Sequence, residues 1–250
     1  MTKINSRNIA LIPTRLGSTR LPGKPLLVIE GLPMVIHVYR RAKLSKLLDD
    51  VIICCDDKKI LDIAKKYNAK AILTSKKHTN GTERIAEVAT KHKARLIIDV
   101  QGDEPLLNPR DIDLVINFHL DNPHFDIVVP SHPSNTPGTK NVVKIISNKK
   151  GRVLYFSRAE VPFPFNKKNN TYFKHLSIIS FKPSALKLFS EMEESKLEKI
   201  EGIELLRAIE NDLKVGTFPI EGDSFPIDVK EDLKKALEIM PNDKIRKLYK

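Results

Sequence analysis

The sequence predicts an α/β fold: a doubly wound, mainly parallel sheet with an inserted antiparallel element. Two observations carry this. Through the first half of the chain, short apolar runs alternate with amphipathic stretches at helical spacing, the pattern of βαβ units. From about Phe125 that alternation gives way to strand-like stretches joined by loops, several of them containing proline (Pro133, Pro137, Pro162, Pro164). This second pattern suits an antiparallel insertion or sheet extension, and it makes residues 125–185 a candidate dimerisation element within a single 250-residue domain. A chain of that length buries a sizeable core.

The first strand is the apolar run Ile9, Ala10, Leu11, Ile12, expected to end at Pro13, which cannot donate to a sheet ladder. A polar loop follows, with Gly17 and Gly23, the hydroxyls of Ser18 and Thr19, and the cations Arg15, Arg20 and Lys24. Glycines let backbone N–H groups converge, and fixed cations beside them complete a cradle for polyphosphate. A plain basic surface loop is the alternative. The Walker pattern and the G-x-G-x-x-G fingerprint are both absent here. A helix is expected over 33–42, entered by proline in its first turn. Then come a β-branched strand over 51–54, an amphipathic helix over 58–67, a short strand over 71–73 and a helix over 82–91. A strand over 96–100 ends at Gln101-Gly102-Asp103, and a helix covers 111–118. Strands are expected at 127–130, 142–146, 153–156 and 175–181, and helices at 202–210 and 230–240. In a sheet of this class, ligands bind beyond the carboxyl ends of the strands.

Composition narrows the function classes less than the motifs do. The 43 basic residues against 31 acidic give a net charge of +12, which suits nucleic acid, anionic membranes or anionic small substrates. The lysines are spread along the chain, and no RNP-type motif, finger spacing or basic arm accompanies them, so no nucleic acid is expected as partner. No apolar run approaches the roughly 18 residues of a membrane span, and the N-terminal apolar stretch is too short for a secretory signal, so a cytoplasmic protein is expected. The adjacent Cys54 and Cys55 have no companion metal set and are expected to be buried.

Several constellations could carry chemistry. Asp103, at the end of a buried strand, could hold Mg²⁺, which takes one or two protein carboxylates plus phosphates and water; the alternative is a simple Gly-Asp turn. Asp228 precedes the closing helix and could serve as metal ligand or as helix N-cap. Gly81 and Thr82 open a helix whose N-terminus could face a nucleotide, with Arg84 behind them. Arg158 could clamp a carboxylate in a two-pronged bond, and His175 lies downstream of it.

These segments together resemble the 3-deoxy-manno-octulosonate (Kdo) cytidylyltransferases. The matching pieces occur in the family's order: IPTRLGSTRLPGKPL in the opening loop, GTER at 81–84, VQGDEP at 100–105, VK at 143–144 and YFSR at 155–158. HL at 175–176, the E-x-x-R of Glu204 to Arg207, and Asp228 followed by EDL complete the series, over roughly residues 8–240. The resemblance implies a nucleotide-diphospho-sugar-transferase-like Rossmann variant. It implies transfer of a cytidylyl group from CTP to the anomeric hydroxyl of Kdo, Mg²⁺ dependence, release of pyrophosphate, a product used in lipopolysaccharide assembly, and a homodimer. On the matching positions, Arg15, Ser18 and Lys24 bind the triphosphate, with Arg15, Lys24, Asp103 and Asp228 as the catalytic set. Asp103 and Asp228 are the implied metal ligands. Gly81, Thr82, Arg84 and Gln101 are implied on the nucleotide, and Gln101, Arg158, His175 and Glu204 on the sugar.

Three positions depart from the family's usual run. Ile179 stands where a tyrosine is usual, Leu205 where a glutamine is, and Asn80 where a serine is. Two of these fall on the sugar side, which keeps open the same chemistry on another acidic sugar, a nonulosonate or an amino-Kdo. A non-catalytic basic nucleotide- or nucleic-acid-binding protein is the alternative from a different class.

Overall fold

Strand β1 (Asn8–Thr14) is buried at every position, because an apolar strand with parallel neighbours on both sides has both faces covered. The computed structural model describes residues 7–17, 21–165 and 170–249; Ser18, Thr19 and Arg20 lie outside the described residues. The chain divides into a first unit, residues 1–114 with 224–250, and a second, residues 115–223.

In the first unit β1 is followed by the two-residue strands β2 (Val28–Ile29) and β3 (Leu32–Pro33), which form a small antiparallel pair. Then come α1 (Met34–Ala42), β4 (Asp50–Cys55), α2 (Lys58–Lys66), β5 (Ala71–Leu73), α3 (Gly81–Ala89) and β6 (Leu96–Val100). The strand order β5-β4-β1-β6 is parallel throughout. Asp57 caps α2 by accepting from the Lys59 N–H, and Asn80 caps α3 by accepting from the Glu83 N–H. The expected end of the first strand at Pro13 is one residue early or more: Pro13 and Thr14 remain in register with Cys54 and Cys55. The pairing with β6 has stopped at Leu11, so Pro13 sits where β1 has a single neighbour, the place where a strand tolerates proline. Cys54 and Cys55 are fully buried free thiols, as expected, and burial pushes the Cys55 thiol up to about 11.

Helix α4 (Pro109–Asp121) leads into the second unit. That unit holds β7 (Ile127–Ser134), β8 (Lys144–Ser147), β9 (Val153–Ser157), β10 (Tyr172–His175), β11 (Ile178–Phe181), α5 (Pro183–Glu191), α6 (Lys196–Glu201), α7 (Leu205–Glu210) and β12 (Val215–Pro219). The order is β11-β7-β10-β8-β9, antiparallel at each of these pairs, with β12 running parallel to β7. The single strand expected over 175–181 is two: β10 lies opposite Ser131 to Ser134, and β11 opposite Ile127 and Val128 of the same long strand. The helix expected over 202–210 starts later, because Gly202 (φ 62°) closes α6 in the left-handed conformation and α7 begins at Leu205.

The chain returns to the first unit in α8 (Lys230–Ile239). Ile227, Ala236 and Met240 pack with Leu21, Ile29 and Met34, so one apolar cluster joins the end of the opening loop to the closing helix. A polar chain runs through the same region. Arg41, fully buried, donates from Nε to the Tyr249 hydroxyl and from Nη1 to the Leu107 carbonyl, and pairs with Asp243 at 2.8 Å. The Tyr249 hydroxyl lies 2.9 Å from His37 Nδ1, and His37 Nε2 lies 2.6 Å from the Ile29 carbonyl, an acceptor only. The Nε2 therefore carries the proton and Nδ1 accepts from tyrosine.

Buried neutral histidines make stability depend on pH. Burial pushes His37, His119 and His175 from 6.5 down to about 4. On acidification the unfolded chain takes up these protons near 6.5 and the folded chain only near 4. Their stabilisation is complete above about pH 6.5 and is lost as pH falls toward 4, at about 1.4 kcal/mol per unit per group. Burial raises Asp111 from 3.8 to about 6, which works in the opposite direction over about pH 4–6 and offsets one histidine. The melting temperature is expected to be flat above pH 7 and to drop between 6.5 and 4.5. A flat profile down to 4.5 would show that these imidazoles are not held neutral.

Candidate active site

The turn after β6 carries Asp103, and glycine decides where that turn lies. A Cβ on Gly102 would sit 2.8 Å from Thr14 Oγ1 and 3.0 Å from the Pro13 carbonyl, so only glycine lets this turn lie against the end of β1. The Asp103 carbonyl accepts from the Ile227 N–H at 2.9 Å. Ile227 is itself fully buried in the cluster beneath, and the next residue is Asp228. The N–H groups of Asp228 and Val229 are both taken by the Asp232 carboxylate. Val229 is the N-cap position of α8, so the Asp228 side chain is not spent on capping the helix.

The third member comes from the opening loop. Gly23, at φ 68°, starts a short 3-10 turn over Lys24–Leu26 that Pro25 helps to fix. Lys24 Nζ donates to Asp103 Oδ2 at 2.6 Å and to Asp228 Oδ1 at 3.0 Å. The side chains of Lys24, Asp103 and Asp228 are 15%, 25% and 33% exposed, sheltered yet open to a ligand. Burial alone would lower the Lys24 ammonium; the charge and hydrogen bond of Asp103, then those of Asp228, outweigh it and hold the pKa above its ordinary value. Two carboxylates 125 positions apart thus meet on one cation.

The other residues expected on the nucleotide side range from exposed to buried. Arg15 is exposed at the mouth of the loop, and the next N–H, that of Leu16, is tied to Asp56 Oδ1. Gly81 brings the N-terminus of α3 close to β1: a Cβ there would meet Pro13 Cγ at 3.2 Å. Thr82 is 5% exposed. Arg84 is 3% exposed and donates to Thr74 Oγ1 and the Ser75 carbonyl, with Asp56 3.7 Å away. It braces the segment after β5. Gln101 directs its amide nitrogen onto both oxygens of Asp99, at 3.0 and 2.9 Å, which turns its Oε1 away from that carboxylate. Asp99 and Asp56 went unremarked in the sequence. A carboxylate inside a wholly apolar strand such as β6 was the signal for Asp99, since buried charge is kept only where it has partners.

Of the residues implied on the sugar, Gln101 lies in the first unit and Arg158, His175 and Glu204 lie in the second. Arg158 spends its guanidinium on main-chain carbonyls, those of Glu201 (2.7 Å), Gly202 (3.1 Å) and Lys140 (3.1 Å), so it braces the loop leading to Glu204. Its N–H goes to the Glu201 carboxylate, which also accepts from the Ser157 hydroxyl. Lys144, 1% exposed, donates to the carbonyls of Val142 and Arg158. His175 stands edge-on to Phe156 at 5.7 Å, and its buried Nε2 has no hydrogen-bond partner among the described residues. Glu204 is half-buried at the N-cap of α7. Ile179 and Leu205, the two departures on this side, are 9% and 4% exposed.

A family profile described as cytidylyltransferase matches residues 9–215. The chain is 40% identical over 245 residues to a 3-deoxy-manno-octulosonate cytidylyltransferase of Thermodesulfovibrio yellowstonii, covering 91% of this chain and 96% of that protein. The protein of the same name from Escherichia coli is 33% identical over 95% of this chain and 98% of its own length. A solved structure of a CMP:2-keto-3-deoxy-manno-octonic acid synthetase, complexed with CTP, superposes with a TM-score of 0.91 at 33% identity, over 95% of this chain and 99% of that one. A cytidylyltransferase from Leptospira borgpetersenii, at 18% identity and a TM-score of 0.66, shares the fold. By identity and coverage alike, this chain belongs to the 3-deoxy-manno-octulosonate cytidylyltransferase family.

Proposed function

We propose that the protein transfers the cytidylyl group of CTP to the anomeric hydroxyl of Kdo, releasing pyrophosphate, with Asp103 and Asp228 as the ligands of a catalytic Mg²⁺. The observation that carries the site assignment is the convergence of those two carboxylates on one cation. The donor set fits: Mg²⁺ favours hard oxygens and commonly takes one or two carboxylates, with phosphate and water completing its shell. When bound, Mg²⁺ supplies charge neutralisation at the α-phosphate and lowers the pKa of the attacking hydroxyl.

The rest falls to the protein's own groups. Nucleotidyl transfer asks mainly for positioning and charge, and no separate general base is required. Arg15 and Lys24 hold the negative charge that grows on the departing pyrophosphate; Ser18, assigned to the triphosphate by its motif position, lies outside the described residues. The N-terminus of α3, at Gly81 and Thr82, presents backbone N–H groups and its dipole to the nucleotide, and Arg84 fixes the adjoining segment. Gln101, its amide oriented by Asp99, offers Oε1 as an acceptor. On the sugar, His175 is neutral at pH 7, with its pKa near 4, and its unpartnered Nε2 can bond a hydroxyl. Glu204 accepts from a second hydroxyl, and Arg158 orders the loop that carries it. The reading includes a homodimer seated on the second unit, supported by Phe163 and Phe165, which are 75% and 86% exposed. It also includes a cytoplasmic location, where CTP is available, and a product that feeds lipopolysaccharide assembly. No helix of the described residues is long and apolar enough to cross a membrane.

The test is a sugar panel. Purified protein with CTP and Mg²⁺ is given Kdo, an amino-Kdo or a nonulosonate, and pyrophosphate release is measured. Kdo is expected to give the highest kcat/KM. Turnover with the nonulosonate and none with Kdo would overturn the substrate assignment.

A further inference from the structure

We infer that Lys24 is an internal stand-in for the metal, closing the Asp103–Asp228 site to divalent cations until a triphosphate draws the ammonium away. This rests on the metal reading above and adds the order in which the site fills. Lys24 Nζ lies between the two carboxylates at 2.6 and 3.0 Å, where a single cation bridging them would sit. With the ammonium there, the pair of carboxylates has one negative charge uncompensated rather than two. A divalent ion entering beside it would meet a fixed positive charge a few ångströms away. Metal entry therefore requires the ammonium to leave.

The lysine is built to move. Its backbone is held by the 3-10 turn and the Leu21 carbonyl, while its charge is carried on a flexible four-carbon stem. It can swing without disturbing the apolar cluster beneath the loop. A triphosphate brings several negative charges to the same loop and offers the ammonium new partners as the metal takes the old ones. Metal and nucleotide affinities are then coupled through one side chain, and the coupling is reciprocal. In the free protein the lysine guards the site; in the loaded one it serves the phosphates.

The experiment measures Mn²⁺ binding, by the paramagnetic signal of the free ion, to wild type, Lys24→Gln, Lys24→Met and Asp103→Asn, each with and without CTP. Without nucleotide, both Lys24 variants are expected to bind Mn²⁺ at least about tenfold more tightly than wild type, and adding Asp228→Asn to Lys24→Gln should remove the gain. With CTP, wild type should hold one ion beyond that chelated by the nucleotide itself, counted against CTP alone, and Asp103→Asn should not. If wild type with CTP behaves so but neither Lys24 variant binds Mn²⁺ more tightly in its absence, the stand-in role is wrong and the metal site stands. If the CTP-dependent ion is the same in wild type and Asp103→Asn, the metal reading fails and the stand-in role falls with it. Using two variants of different polarity, each checked by its thermal melt, keeps the comparison valid if one folds poorly.

Discussion

Asp103→Asn is expected to slow pyrophosphate release from CTP and Kdo by about a thousandfold, with the melting temperature within about 4 °C of wild type. The substitution keeps the volume and removes the charge. Structurally it loses one partly exposed contact with Lys24, worth about 1 kcal/mol or less. Chemically it takes one of two carboxylates from the point where they converge. The loss should lie in kcat, because the opening loop and the α3 N-terminus still hold the nucleotide. Asp228→Asn should behave alike, and the double variant should be little worse than either, since the two act as one unit. Retention of more than a tenth of the activity in either single variant would remove that carboxylate from the catalytic set.

Arg41→Met is expected to destabilise the protein by roughly 3 kcal/mol, measured by denaturant unfolding. Methionine fills most of the space but leaves the Leu107 carbonyl without its donor and Asp243 without its ion pair, though still bonded to the Arg246 N–H, and it breaks the link through Tyr249 to His37. A group stranded in this way loses more than the bond itself is worth. The effect should reach activity only through the folded fraction, so kcat per folded molecule should hold at low temperature. A stability change under 1 kcal/mol would show that the Arg41 contacts contribute little to holding residues 240–249 in place.

The sheet of the first unit was legible because its strands are short apolar runs between helices of regular period, and β1, β4 and β6 fall where those runs predict. The second unit was harder to read. β12 contains Gly216, and a glycine weakens a strand pattern; only the fold shows that a Cβ there would run into the Phe125 ring. The helix α5 begins one residue after the apolar strand β11, with only Lys182 between them, so no loop marked its start and the signal was Pro183 at its first position. On the candidate site, local sequence could propose Asp228 as a cap or as a ligand. The capping role falls to Asp232, four residues on, which accepts from the N–H groups of Asp228 and Val229.

What the sequence determined by itself is the family and its kind of chemistry, with a set of candidate residues for it: a glycine-rich cationic loop, a strand ending in Gln-Gly-Asp, and an aspartate before the last helix, in an order that marks a family. Such signals are local, since each depends on the conformational freedom or charge of a few adjacent residues. Which side chains are free to act was decided by the tertiary structure. Burial and carbonyl bonding turn Arg84 and Arg158 into braces, and a main-chain bond from Ile227 to Asp103, over a shared apolar cluster, brings carboxylates 125 positions apart onto Lys24. The reason is physical: a charge's role depends on its neighbours and its solvent, and both are set by contacts between segments far apart in the chain.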